Sequence, residues 1–128
     1  MAHRDLPDLV VLRQLLAYEP TTGIFTWKRR PLSMFATERA FSTWNARYAD
    51  KIAGNVDPKG YRRIVVQYRL CWEHRLAWLY VHGTAPQKPL EIDHKDGNRQ
   101  NNRIANLRVV TRSQNNFAMW RRRKRSFL

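Results

Sequence analysis

The chain has 128 residues, enough for one domain or for a small domain with a catalytic motif appended to it. Its formal charge of +14 and apolar fraction of 43%, with five Trp, five Tyr and five Phe, exclude a disordered chain and favour a polyanionic partner, nucleic acid before a membrane surface. The lone Cys71 excludes an intrachain disulfide or a cysteine-based zinc knuckle, and no run of about 18 apolar residues provides a transmembrane span.

The opening MAHRDLPDLV carries charges where a signal peptide needs an apolar run, so a soluble, cytoplasmic protein is expected. In residues 8–18, Leu9, Leu12, Leu15 and Leu16 share one face at helical spacing, with Asp8 as N-cap. That helix should end at Glu19-Pro20, because the residue before proline avoids helical geometry. Thr21-Thr22-Gly23 reads as a turn and residues 24–27 as a short strand. Residues 28–36 read as an exposed loop. Phe41, Trp44 and Tyr48 recur at helical intervals across residues 37–48, a row read as core packing before base stacking. Asp57-Pro58-Lys59-Gly60 signals a turn, residues 61–66 and 70–73 two antiparallel strands, and residues 74–82 an apolar helix closed by Gly83. His74, at the start of that helix, reads as a packing or capping residue.

The segment after Pro89 carries the chemistry. Residues 90–94 read as a strand ending in Asp93-His94, and residues 107–110 as its return strand. Between them an Asp-Gly turn and Asn98, Asn101 and Asn102 mark a loop stiffened by side chains that bond to nearby backbone. A structureless loop of that length in a small domain is usually functional. Thr111-Arg112-Ser113-Gln114 fits a capping box, so a helix should start there with Asn115 in its first turn or just beyond it. Hydrolysis of a phosphodiester needs a base for the attacking water and positive charge beside the phosphoryl oxygens. The His94 imidazole, titrating near pH ~6.5 when unperturbed, can take the proton. Asp93 and the Asn115 carbonyl offer hard oxygen ligands that suit Mg²⁺ or Mn²⁺. Adjacent strand residues point to opposite faces, so Asp93 and His94 serve one site only if the backbone leaves regular geometry there.

Asp93-His94, Asn106 and Asn115 closely resemble the HNH endonucleases with the ββα-metal fold, in the His-Asn-Asn variant found among phage-encoded and homing enzymes. The stretches YEPTTGIFTW, AGNVDPKGYRRI and HRLAWLYVHG also look like the N-terminal region of small phage HNH proteins. The resemblance implies that Asp93 and Asn115 bind the metal, that His94 is the base, and that Asn106 braces the loop and orients His94. It further implies products with 5′-phosphate and 3′-hydroxyl ends, and residence in the host cytoplasm for a phage-encoded protein. Asn at position 115 argues against a zinc-preferring catalytic site, and the cysteine pairs that hold structural zinc in some relatives are missing.

The expected architecture is α+β: an N-terminal helix and small antiparallel sheet followed by a ββα-metal catalytic unit. Residues 1–86 would form a DNA-binding region and residues 87–128 the catalytic motif with a basic tail, together one compact unit. Lys95, Arg99, Arg103, Arg108 and Arg112 surround the expected site, and Arg121, Arg122 and Arg123 begin a basic run that could lie along a duplex. Base reading, where present, would come from residues 61–66 with Arg62-Arg63, or from the loop at 28–30. The expected activity is metal-dependent cleavage of double-stranded DNA by a monomer or homodimer. A non-catalytic DNA-binding protein on the same scaffold, and a nuclease acting on RNA or single strands, are the alternatives.

Overall fold

The computed structural model describes residues 6–125. Helix α1 spans Leu9–Leu15 and passes directly into strand β1, Leu16–Glu19. The helix is thus shorter than the leucine spacing suggests. Leu16 and Tyr18 alternate into the interior at a strand's period of two, and Leu16–Glu19 pairs antiparallel with β2, Ile24–Trp27, through the Thr21-Thr22-Gly23 turn. Asp8 stands at the N-cap position and its carbonyl accepts from Leu12 N, but its side chain makes no capping bond.

A 3₁₀ turn, Leu32–Met34, interrupts the expected loop, and α2, Glu38–Tyr48, follows with the Thr37 hydroxyl accepting from Ala40 N. The aromatic row of α2 packs against Phe35 and Trp27 and leaves the main core to others. Only Asn45 of this helix is buried, and its amide bonds Arg30 N and Arg30 O, pinning the basic loop to α2. A second sheet runs β3, Asn55–Val56, β4, Arg62–Val66, and β5, Arg69–Trp72, all antiparallel. Gln67 and Tyr68 both take positive φ, 50° and 66°, giving the two-residue turn whose twist matches a β4–β5 hairpin. Helix α3, Glu73–His82, follows without a break and ends on Gly83 at φ 81°, as its position predicts.

Strands β6, Glu91–His94, and β7, Leu107–Val110, form a two-stranded antiparallel sheet, and α4, Arg112–Arg125, folds back over it. This is the α+β arrangement with a terminal ββα unit. The buried cluster runs through Leu12, Leu16, Phe25, Ile64, Val66 and Leu76 and takes in Ile92 and Leu107, so the ββα unit packs on the same apolar core as the preceding elements. No helix among the described residues is long and apolar enough to cross a membrane.

Candidate active site

The loop between β6 and β7 is built by its own polar side chains. Gly97 N bonds His94 O at 2.8 Å, closing the Asp96-Gly97 turn with Gly97 at φ 76°. Asp96 is the hub: one carboxylate oxygen accepts from Asn98 N at 2.8 Å and Asn106 Nδ2 at 3.0 Å, the other from Asn101 Nδ2 at 2.8 Å. These donors hold the Asp96 carboxyl below its ordinary range, against the burial that would raise it. Asn106 spans the loop, accepting from Asp96 N at 3.1 Å and donating to Asn101 O at 2.9 Å. An irregular segment with this many internal bonds behaves as a rigid shelf.

His94 ends β6 and is 4% exposed. Its Nε2 lies 2.8 Å from Asn102 Oδ1, so the side chain on the imidazole is that of Asn102, while Asn106 spends its bonds on the loop. An amide oxygen only accepts, so Nε2 carries the hydrogen and Nδ1 keeps its lone pair. Burial pushes the imidazole below the ordinary histidine range, while the Asn102 bond and the Asp93 carboxylate pull the other way. The net direction favours the neutral ring. Beside it the His74 ring stands edge-on at 5.2 Å and the Tyr61 ring at 6.2 Å. Burial drives His74 down to about 3, so it faces His94 uncharged at neutral pH.

The Asn102 carbonyl is anchored from the far end of the chain. Tyr18 of β1 donates its hydroxyl to Asn102 O at 2.5 Å. Burial lifts that phenol to about 12, which keeps the donor protonated. Gly23, in the β1–β2 turn at φ 74°, lies so close that a Cβ there would sit 2.4 Å from both Arg103 N and Asn102 C. The N-terminal hairpin therefore props up the loop that supports the imidazole.

Asp93 is also 4% exposed and sits opposite Arg108 in the β6–β7 register. Arg108 reaches Asp93 Oδ2 through Nε and Nη2, both at 2.9 Å, and Arg122 of α4 approaches the same carboxylate at 3.2 and 3.3 Å. Regular pairing continues through His94, so the two neighbours do point to opposite faces. They nonetheless meet at one place. A cleft of about 240 Å³ is lined by Asp93, His94 and Asn115 together with Tyr61, Arg99 and Arg122. Among the described residues β6 pairs with β7 alone, and the cleft is lined by residues from both of its faces.

Asn115 is carried in by α4, whose start is the expected capping box: Thr111 Oγ1 accepts from Gln114 N at 3.2 Å and Gln114 Oε1 from Thr111 N at 2.9 Å. The Asn115 Nδ2 donates to Glu91 Oε2 at 2.8 Å, and no donor among the described residues reaches its Oδ1. A carboxylate and a free amide oxygen beside a neutral imidazole make a hard-oxygen donor set. Such donors would suit Mg²⁺ or Mn²⁺, with water and phosphate supplying the remaining ligands. Among the described residues no group of three or more His, Cys, Asp and Glu converges as a metal site.

Residues 71–117 match the family model described as HNH endonuclease. That match covers 47 of the 128 residues. The solved structure of the HNH homing endonuclease I-HmuI, described as binding and cleaving DNA, is similar over 89% of this chain with a TM-score of 0.55 at 22% identity, a likeness of fold. The chain spans 55% of that relative's length. No curated protein matches.

The expected DNA-contacting side chains are divided by the fold. Arg99 stacks its guanidinium over Tyr61 at 4.6 Å and bonds Lys59 O, at the cleft wall. Arg123 also lines the cleft, and Arg112 stands exposed at the edge of a larger neighbouring cleft of about 860 Å³. Lys95 donates to Ala105 O, Arg103 to Asn101 Oδ1, and Arg121 lies over Phe117 at 6.0 Å. Arg108 and Arg122 are turned inward on Asp93. Asn102, His74, Tyr61 and Glu91 join the site without having been singled out for it. Of these only Asn102 left a sequence signal, as one of a cluster of loop asparagines eight residues after the histidine.

Proposed function

We propose that the chain is a divalent-metal-dependent endonuclease that hydrolyses a phosphodiester of double-stranded DNA, as a phage or homing-type enzyme. The convergence of Asp93, His94 and Asn115 on one cleft flanked by Arg99, Arg122 and Arg123 supports this reading. Asp93 and Asn115 Oδ1 would hold Mg²⁺ or Mn²⁺, which when bound supplies positive charge to the phosphoryl and leaving 3′ oxygens. His94 Nδ1 accepts the proton of the attacking water, because Asn102 Oδ1 fixes the hydrogen on Nε2 and burial keeps the ring neutral. Asn102 is a positioning residue, and Asp96 with Asn106 keeps the loop under it in place. Arg99, Arg103, Arg112, Arg121 and Arg123, with Lys95, would contact backbone phosphates, which fixes register without reading bases.

One such site cuts one strand per event, so a monomer nicks, and a symmetric dimer can cut both strands. The products would carry 5′-phosphate and 3′-hydroxyl ends. The test is a supercoiled plasmid incubated with the full chain. Conversion to nicked or linear form in Mg²⁺ or Mn²⁺, stopped by EDTA, is expected. Binding that ignores EDTA and leaves the plasmid supercoiled would support the non-catalytic alternative, and preference for RNA or single strands in a substrate panel would redirect the substrate.

A further inference from the structure

Arg122 does more at this site than a phosphate-binding residue requires. Its Nη2 is surrounded by four oxygens: Asp93 Oδ1 at 3.3 Å, Asp93 Oδ2 at 3.2 Å, His94 O at 2.8 Å and Lys95 O at 3.3 Å. The nitrogen has two hydrogens to share among four acceptors, so charge as well as hydrogen bonding holds it there. The arm is seated as well as the head. A Cβ on Gly97 would lie 2.8 Å from Arg122 Cδ and 3.1 Å from its Nε, so the turn glycine leaves the groove in which the side chain rests. Asp93 is meanwhile already compensated by Arg108 across the sheet at 2.9 Å. One buried carboxylate thus faces two guanidinium groups.

That balance bears directly on the metal. A hard dication takes carboxylate oxygens at about 2.0–2.1 Å for Mg²⁺ and cannot share the same oxygens with a guanidinium at contact distance. With Arg122 in place, two positive charges stand against the single negative charge of Asp93, and a third cation is repelled. Arg122 has somewhere else to go. Its side chain is 29% exposed and it lines the cleft that would receive the scissile strand. A phosphate diester offers a guanidinium the same paired oxygens that a carboxylate does.

We propose that Arg122 is the resident cation of the metal site and that a DNA phosphate draws it off Asp93, so that DNA binding and metal binding reinforce each other. This rests on the reading of Asp93 and Asn115 as metal ligands. Linkage makes the effect reciprocal: whatever factor DNA adds to metal affinity, metal adds to DNA affinity. The chain binds a dication poorly without DNA and is spared cutting chemistry away from its substrate.

The experiment is Mn²⁺ binding, followed by the electron-paramagnetic resonance of free Mn²⁺, in the full chain with His94→Ala so that a short duplex stays whole. Removing a neighbouring positive charge at a part-exposed site should tighten Mn²⁺ binding by about tenfold in Arg122→Ala without DNA. The duplex should tighten the parent by a similar factor and the Arg122→Ala protein by about threefold or less. Arg122→Gln, which keeps the length and loses the charge, serves where the alanine protein fails to fold, and Arg122→Lys should stay near the parent. Equal or weaker Mn²⁺ binding on loss of the charge, or equal gains from the duplex, overturns the coupling alone. If neither protein binds Mn²⁺ with or without duplex, and Asp93→Ala changes nothing, the metal-site reading itself falls.

Discussion

Asn102→Ala isolates the support of the proposed general base, His94, from the base itself. The wild-type amide places Oδ1 at 2.8 Å from His94 Nε2, in surroundings where Asn102 is 1% exposed and His94 4%. Truncation leaves a buried ring N–H without an acceptor, at a cost of about 1–3 kcal/mol. The ring can recover part of that loss by turning, or by moving its hydrogen to Nδ1, and either change takes the lone pair away from the attacking water. At about 1.36 kcal/mol per tenfold, the nicking rate should fall roughly 10- to 100-fold. Stability should fall less, because Asn102 Nδ2 is itself buried without a partner among the described residues and its desolvation cost disappears with it. The assay is single-turnover nicking of supercoiled plasmid at saturating Mg²⁺ and neutral pH, with DNA affinity measured beside it. A rate within about twofold of wild type, in a protein with native circular dichroism, would refute the assignment of Asn102 as the residue that sets the tautomer.

Three further outcomes follow from other parts of the fold. Gly23→Ala puts a methyl group into the Asn102–Arg103 backbone at a positive φ, and should cost about 2–5 kcal/mol in denaturant unfolding while slowing nicking through the loop; a loss under about 1 kcal/mol would contradict the close packing. Glu73 is 1% exposed, and burial pushes its carboxyl up to about 7 although Arg62 Nε, at 2.8 Å, pulls it down. The folded chain then holds that proton where the unfolded chain releases it, so its share of stability is present below the unfolded value of 4.5 and is lost as pH rises through about 7. Glu73→Gln should therefore gain in Tm relative to wild type as pH rises across that window, and a relative loss would mean that the ion pair outweighs burial. Arg112→Ala should lower the log–log salt slope of DNA binding by about 1 while leaving the pattern of cut positions unchanged; an unchanged slope removes it from the phosphate contacts.

Much of this was legible in the sequence because it is local. The Asp-Gly turn, the asparagine-rich loop, the Thr111–Gln114 box and the glycine closing α3 each depend on residues within a few positions of one another. The β1 strand was hidden because Leu12, Leu15 and Leu16 satisfy a helical period while Leu16 and Tyr18 satisfy a strand's, and pairing with Ile24–Trp27 decides between them. The aromatic row of α2 was periodic without indicating its partner, which is Phe35 and Trp27 instead of the main core. Within the site, Asp93, His94 and Asn115 stood out because their chemistry is rare in combination. Asn102 on His94, Tyr18 on the Asn102 carbonyl and Arg122 on Asp93 did not stand out. The first depends on the path of an irregular loop, and the others join residues 84 and 29 positions apart with no periodic signal between them.

His94→Ala removes the one neutral imidazole that is proposed to make the cut beside a hard-oxygen pair. DNA affinity and Mg²⁺-dependent nicking should be measured on the same folded protein. Near wild-type binding with turnover lost by at least about a hundredfold is the predicted result. Nicking that survives the substitution, or binding that disappears together with turnover, would rule out His94 as the base.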